Sequence, residues 1–131
     1  MKLLSMNTAI YSCTRLEELA AEFSIGRGDV ILTNRYILSG AALDAMSGAS
    51  VIWKEDYGKG EPTDVMVNAI RAECPRDAKR IIALGGGTVM DVAKLLVLPL
   101  DRPLESFLAP DAEFIREREL ILVPTTCGTG S

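Results

Sequence analysis

The chain has 131 residues, 48% hydrophobic and 24% charged, which suits one ordinary globular domain with a real core and excludes a disordered chain. Its net charge of -4, from 14 basic and 18 acidic side chains, argues against binding to nucleic acid or to an anionic membrane surface. No stretch approaches the roughly eighteen apolar residues of a membrane span, and there is no histidine.

The opening Met1-Lys2-Leu3-Leu4 is interrupted by Ser5, Asn7 and Thr8 before the apolar core of a signal peptide can form. Leu16, Leu19, Ala20 and Phe23 then recur at helical spacing, so a helix is predicted from Thr14 to Phe23, with Thr14 and Glu17 as its capping box. Gly26 and Gly28 end that pattern, and Asp29 to Thr33 reads as a buried strand. A helix is predicted from Tyr36 to Met46 with Gly48 as its stop, followed by a strand at Ser50–Trp53. Gly58, Gly60 and Pro62 mark a loop, and Thr63 caps a helix running to about Glu73. A strand over 80–84 leads into a helix over 88–98, and Leu120 to Val123 forms a last strand. Strands that are continuous apolar runs and alternate with helices predict an α/β fold, with a parallel sheet covered on both faces.

The unusual loops all follow strands: Asn34, then Gly58 and Gly60, then Gly85 to Thr88, then Thr125 to Ser131. In an open α/β sheet they meet at the carboxyl edge, where ligands bind, so they predict one site. The segment Gly85-Gly86-Gly87-Thr88-Val89-Met90-Asp91-Val92-Ala93-Lys94 joins a strand to a helix start, whose free N–H groups and dipole suit a phosphate. It matches G-x-G-x-x-G only at Gly85 and Gly87, because Met90 holds the third glycine position, and it is not a P-loop. The alternative is a tight turn and nothing more. Thr88 and Asp91 have capping-box spacing; Asp91 otherwise faces a ribose, the far end of a nucleotide or a substrate, since it would repel phosphates. Lys94 reads either as a solvated charge or as a group near the ligand. Thr125, Thr126 and Thr129 offer hydroxyls in a second glycine-rich loop. Cys127 lies among them with no histidine to activate it, so it reads as a small loop filler. The scattered set Cys13, Cys74 and Cys127, without C-x-x-C spacing, predicts reduced thiols and a cytoplasmic setting.

GGGTVMDVAK at 85–94 and PTTCGTGS at 124–131 resemble the two N-terminal signatures of the iron-containing (group III) alcohol dehydrogenases. Within that family, VILTNRYIL at 30–38 and KEDYGKGEPTDVM at 54–66 resemble the NAD-dependent 4-hydroxybutyrate dehydrogenases. The resemblance implies a Rossmann-like nucleotide domain, with Gly85, Gly86, Gly87 and Thr88 at the pyrophosphate. It puts Thr125, Thr126 and Thr129 at the adenine and nicotinamide side, and Asp91 and Lys94 toward the nicotinamide. Many members carry Asp at the position of Asn34, where it binds ribose hydroxyls. Asn34 lacks that charge and Arg35 adjoins it, so NAD is expected and NADP stays open.

The family signature continues past Ser131 into a helical domain that supplies one Asp and three His to iron or zinc. That metal polarises the oxygen of a small alcohol or aldehyde. The 131 residues are therefore expected to be the N-terminal dinucleotide-binding domain of a dehydrogenase, with no catalytic or metal-binding residue of its own. Such a piece is expected to be inactive alone and prone to self-association through bared apolar surface, as a homo-oligomer. A free-standing nucleotide-binding or interaction module is the alternative.

Overall fold

A computed structural model describes residues 9, 11–112 and 115–125. Within them, strands β1 (Asp29–Thr33), β2 (Ser50–Trp53), β3 (Arg80–Gly85) and β4 (Glu119–Pro124) form a 4-stranded sheet in the order β2-β1-β3-β4. Every neighbouring pair is parallel. Helices α1 (Leu16–Glu22), α2 (Gly40–Ala45), α3 (Asp64–Glu73) and α4 (Gly87–Leu96) join or flank the strands. Short 3-10 turns follow β2 (Lys54–Tyr57) and precede β4 (Leu104–Phe107).

Successive side chains of a strand point to opposite faces, and the two inner strands are apolar on both. Val30, Leu32, Ile81 and Ala83 pack with Val67 and Ile70 of α3 and Val92 and Leu96 of α4. Ile31, Ile82 and Leu84 pack on the other face with Leu19 of α1 and with Met46, which follows α2. Ile31, Ile82 and Leu84 are 0% exposed, and burial of each such side chain contributes about 1.5–3 kcal/mol. The doubly covered parallel sheet is thus the one the apolar runs predict. No helix among the described residues is long and apolar enough to cross a membrane.

Three local expectations are corrected. The helix predicted from Tyr36 is only Gly40–Ala45. Asn34 O collects the N–H groups of both Ile37 and Leu38 in a turn, and Gly40 then takes φ +56, a left-handed step that breaks any continuous helix. At α1 the residue before the helix is Arg15. Thr14 therefore lies one position further out, and its N–H and Oγ1 meet Glu18, at 3.0 and 2.9 Å, in place of Glu17. At α4 the helix starts at Gly87 and ends at Leu96, so Thr88 lies inside the first turn and no capping box forms with Asp91. Thr63 does cap α3, accepting from Met66 N at 3.1 Å.

Two buried arginines hold the C-terminal end of α4. Arg71, on α3 and 4% exposed, donates to Leu95 O, to Pro99 O at 2.6 Å and to Arg102 O at 2.9 Å. Arg118, just before β4, donates from Nη1 to Leu98 O at 3.1 Å and, more weakly, to Leu96 O at 3.5 Å. Burial, and then the nearby Arg118 charge, push the Arg71 guanidinium below its ordinary pKa, yet a guanidinium stays charged in proteins. Cations here complement the negative end of the helix dipole. Replacing Arg71 by Met strands three carbonyl oxygens, so Arg71→Met is expected to lower stability by about 2–4 kcal/mol in urea denaturation. Arg71→Lys should recover less than half of that, because an ammonium lacks the planar fork.

Candidate functional site

The site grows from the way the inner strands end. Pairing between β1 and β3 stops at Leu32 with Ala83, whereas β3 and β4 stay paired to Gly85 with Pro124. Beyond that point β1 leads to β2 on one side and β3 to β4 on the other. The chain ends therefore diverge, leaving a crevice at the carboxyl edge of the sheet. One bond bridges it: Thr33, 0% exposed, donates from Oγ1 to Leu84 O at 2.8 Å.

Gly85 closes β3, and Gly86 is the extended residue before α4. A side chain on Gly85 would put its Cβ 2.9 Å from Val89 Cβ and Cγ2, so glycine alone lets the first turn of α4 sit against the strand end. The first helical bond runs from Met90 N to Gly86 O at 3.0 Å. The N–H groups of Gly87, Thr88 and Val89 come before it, and no side chain among the described residues caps them. Thr125 N donates to Gly85 O at 3.2 Å, which brings the start of the second predicted loop against the first. Thr126, Cys127 and Thr129 lie outside the described residues.

These uncapped N–H groups open on a cavity of about 270 Å³ lined by Asn34, Tyr36, Lys54, Gly60, Glu61 and residues 86–89. Loops after three different strands thus meet in one space, as the order of elements predicts. A larger concavity of about 720 Å³ is lined by Gly28, Asp29, Lys79, Arg80 and Glu119 among others. These residues precede or begin strands, so it sits at the opposite, amino edge, where open α/β sheets do not bind their ligands.

The ends of β1 and β2 are stapled together beside the cavity. Asn34 Oδ1 accepts from Glu55 N at 3.1 Å, and Arg35 N donates to Glu55 Oε1 at 2.8 Å. The Arg35 guanidinium bonds Asp56 at 2.6 and 3.0 Å and lies 4.9 Å over the Trp53 ring. The bond to Asp56 is the main cause that raises Arg35 above its usual pKa, and the same bond holds Asp56 below its own. Lys54 is 7% exposed; its Nζ donates to Gly60 O at 3.2 Å and Gly58 O at 3.4 Å, fastening the loop that carries Glu61. Asp91 and Lys94 do not line this cavity. They pair with each other at 3.2 Å on the exposed side of α4.

A sequence profile of iron-containing alcohol dehydrogenases matches residues 7–131. The chain belongs to that family. The chain is 39% identical over 132 residues to the 4-hydroxybutyrate dehydrogenase of Clostridium kluyveri, covering 100% of this chain and 36% of that protein. It is 38% identical over 91 residues to a probable alcohol dehydrogenase, EutG, of Salmonella typhimurium, covering 66% of this chain and 22% of that one. The fold is that of sulfoacetaldehyde reductase from Bifidobacterium kashiwanohense, solved in complex with NAD+, with a TM-score of 0.66 at 21% identity over 87% of this chain and 32% of that one. The chain therefore spans about a third of the length of the Clostridium kluyveri enzyme and of the sulfoacetaldehyde reductase.

Tyr36, Lys54 and Glu61 were not singled out by the sequence. Tyr36 reads as part of a longer helix, and Lys54 and Glu61 carry no local signal apart from the family resemblance of residues 54–66. Among the described residues no group of three or more His, Cys, Asp or Glu could hold a metal ion. Cys74 is buried and free, and burial pushes its thiol up, against any nucleophilic part. Gly85→Ala is expected to cost about 1–3 kcal/mol in chemical denaturation through the clash with Val89. Adding Val89→Ala should return much of that loss, a coupling that contact predicts and two independent defects would not show.

Proposed function

We propose that these residues form the NAD-binding part of an alcohol dehydrogenase that interconverts 4-hydroxybutyrate and succinate semialdehyde, or a similar short alcohol and aldehyde. The observation that carries this reading is the uncapped start of α4 facing a cavity walled by the ends of β1 and β2. Gly86 and Gly87 would let a pyrophosphate approach the backbone, and the N–H groups of residues 87–89 would bind it with the help of the helix dipole. Thr88 would add a hydroxyl. Asn34, at the end of the strand beside β3, would lie along the ribose. Bound NAD would accept a hydride from the alcohol carbon while the hydroxyl proton leaves, giving aldehyde and NADH.

The relationship to the Clostridium kluyveri enzyme over the whole chain supports the substrate class. The NAD+ in the sulfoacetaldehyde reductase complex supports the cofactor. Thr125, held at Gly85 O, would bring the second loop, with Thr126 and Thr129, toward the dinucleotide. In this reading Asp91 and Lys94, exposed and mutually paired, would meet the nicotinamide side only from the outer face of α4. The remaining two thirds of a full dehydrogenase would supply the metal and the residues that touch substrate.

Titration with NADH, followed by nicotinamide fluorescence, is expected to saturate below about 1 mM, and no change up to that concentration overturns the proposal. Gly86→Asp supplies a good helix cap in an allowed extended backbone (φ -85, ψ -167). Its carboxylate would nevertheless oppose the phosphates, so NADH binding should weaken by about tenfold or more with the thermal midpoint kept.

A further inference from the structure

The absent carboxylate at Asn34 leaves open how this chain would tell a 2′-hydroxyl from a 2′-phosphate, and the charges around the cavity supply an answer. The cation that lines it, Lys54, and the one beside Asn34, Arg35, are already engaged, and Lys59 is exposed on the same loop as Glu61. Arg35 is bound by Glu55 and Asp56, at 3.3 and 2.6 Å, with one more carboxylate than guanidinium. Lys54 is buried and turned to the carbonyl oxygens of Gly58 and Gly60. Asn34 has its Oδ1 taken by Glu55 N, so its side-chain oxygen is committed to the staple between strands. Glu61 differs. It lines the same cavity as Asn34 and the start of α4, it is exposed, and no hydrogen bond or ion pair joins its carboxylate to any described residue.

We propose that Glu61 is the specificity-determining carboxylate of the dinucleotide site: it accepts hydrogen bonds from the ribose hydroxyls of NAD and repels the 2′-phosphate of NADP. An acidic side chain at the ribose is the usual device for this choice in dinucleotide folds, and an arginine is the usual device for the opposite one. Here the acid comes from the loop after β2 in place of the end of β1. Lys54 is a positioning residue for it, since its ammonium fastens the carbonyls of Gly58 and Gly60 directly before Glu61. The arginine that could favour a 2′-phosphate is neutralised by its two acidic neighbours. A 2′-phosphate entering this space would meet the Glu61 carboxylate, while the lysine that lines the cavity, Lys54, holds its ammonium on the carbonyls of Gly58 and Gly60.

This inference rests on the dinucleotide reading of the cavity, and the test separates the two. The full chain is titrated with NADH and with NADPH, and the ratio of the two dissociation constants is compared across variants. The unmodified chain should favour NADH by about tenfold or more. Glu61→Gln should narrow that ratio by about tenfold, and Glu61→Lys should bring NADPH level with NADH or ahead of it. Adding Asn34→Asp to Glu61→Gln should restore preference for NADH. An unchanged ratio in Glu61→Gln and Glu61→Lys, with both cofactors still bound, overturns the role of Glu61 and leaves the dinucleotide site standing. Equal weakening of both cofactors likewise overturns it, since that is the signature of a merely structural loop residue. Absence of binding of either cofactor by the unmodified chain overturns the dinucleotide reading itself, and the inference with it. Glu61 is exposed, so its variants should keep the thermal midpoint of the parent.

Discussion

The placement of α4 is the constraint on which the site depends, and the helix is held at both ends by different physics. At its start, the missing Cβ of Gly85 lets Val89 pack where a methyl group would lie at 2.9 Å. At its finish, the buried guanidinia of Arg71 and Arg118 take up the carbonyls of Leu95, Leu96 and Leu98. The negative end of the dipole is therefore neutralised inside the protein, whereas the positive end faces open space with its N–H groups uncapped. A helix fixed this way presents an uncapped, dipole-positive start, and the proposed anion site rests on that feature. The side chains of Val92 and Ala93 in the middle of the helix, and of Leu96 at its end, are 0% exposed against the sheet and keep the axis from rotating.

Around that helix the sheet supplies shape. Because β1 unpairs from β3 after Leu32 while β4 continues to Pro124, the crevice opens on one side of β3 only. The Thr33 hydroxyl, bonded to Leu84 O, limits how far the strands separate. On the open side, the Asn34–Glu55 and Arg35–Asp56 contacts bind the ends of β1 and β2 into one wall. Surface ion pairs of this kind add little stability singly. Their consequence is geometric: with Lys54 the wall carries two acids and two bases, so in the proposed reading discrimination against a second phosphate falls to Glu61 rather than to the wall.

Some of this was legible in the residues. The apolar runs of β1 and β3 read as doubly buried strands because both faces carry Val, Ile and Leu, and their alternation with helices permitted few topologies. Thr63 as the cap of α3 was legible for a local reason, its hydroxyl reaching the N–H of Met66 within one turn. The span Tyr36–Met46 misled because Leu38, Leu43 and Met46 are apolar at helix-compatible spacing. Leu38 is buried by a turn around Asn34 O, however, and Gly40 adopts a left-handed backbone. Thr88 and Asp91 misled because spacing alone does not say which residue starts a helix.

Sequence by itself determined the period and order of the elements and the glycine-rich strand-to-helix junction, since these follow from neighbours a few positions apart. It also carried the family, through motifs whose residue types are demanding. Only the tertiary structure decided which charges are free. Arg35 and Lys54 are cations in any reading of the chain, but their partners lie across the β1–β2 junction or depend on how the loop after β2 folds back. That Glu61 keeps an uncommitted carboxylate at the same cavity as Gly86 and Gly87 depends on residues more than twenty positions apart. No local pattern encodes that distance, because it is set by how the strands pair.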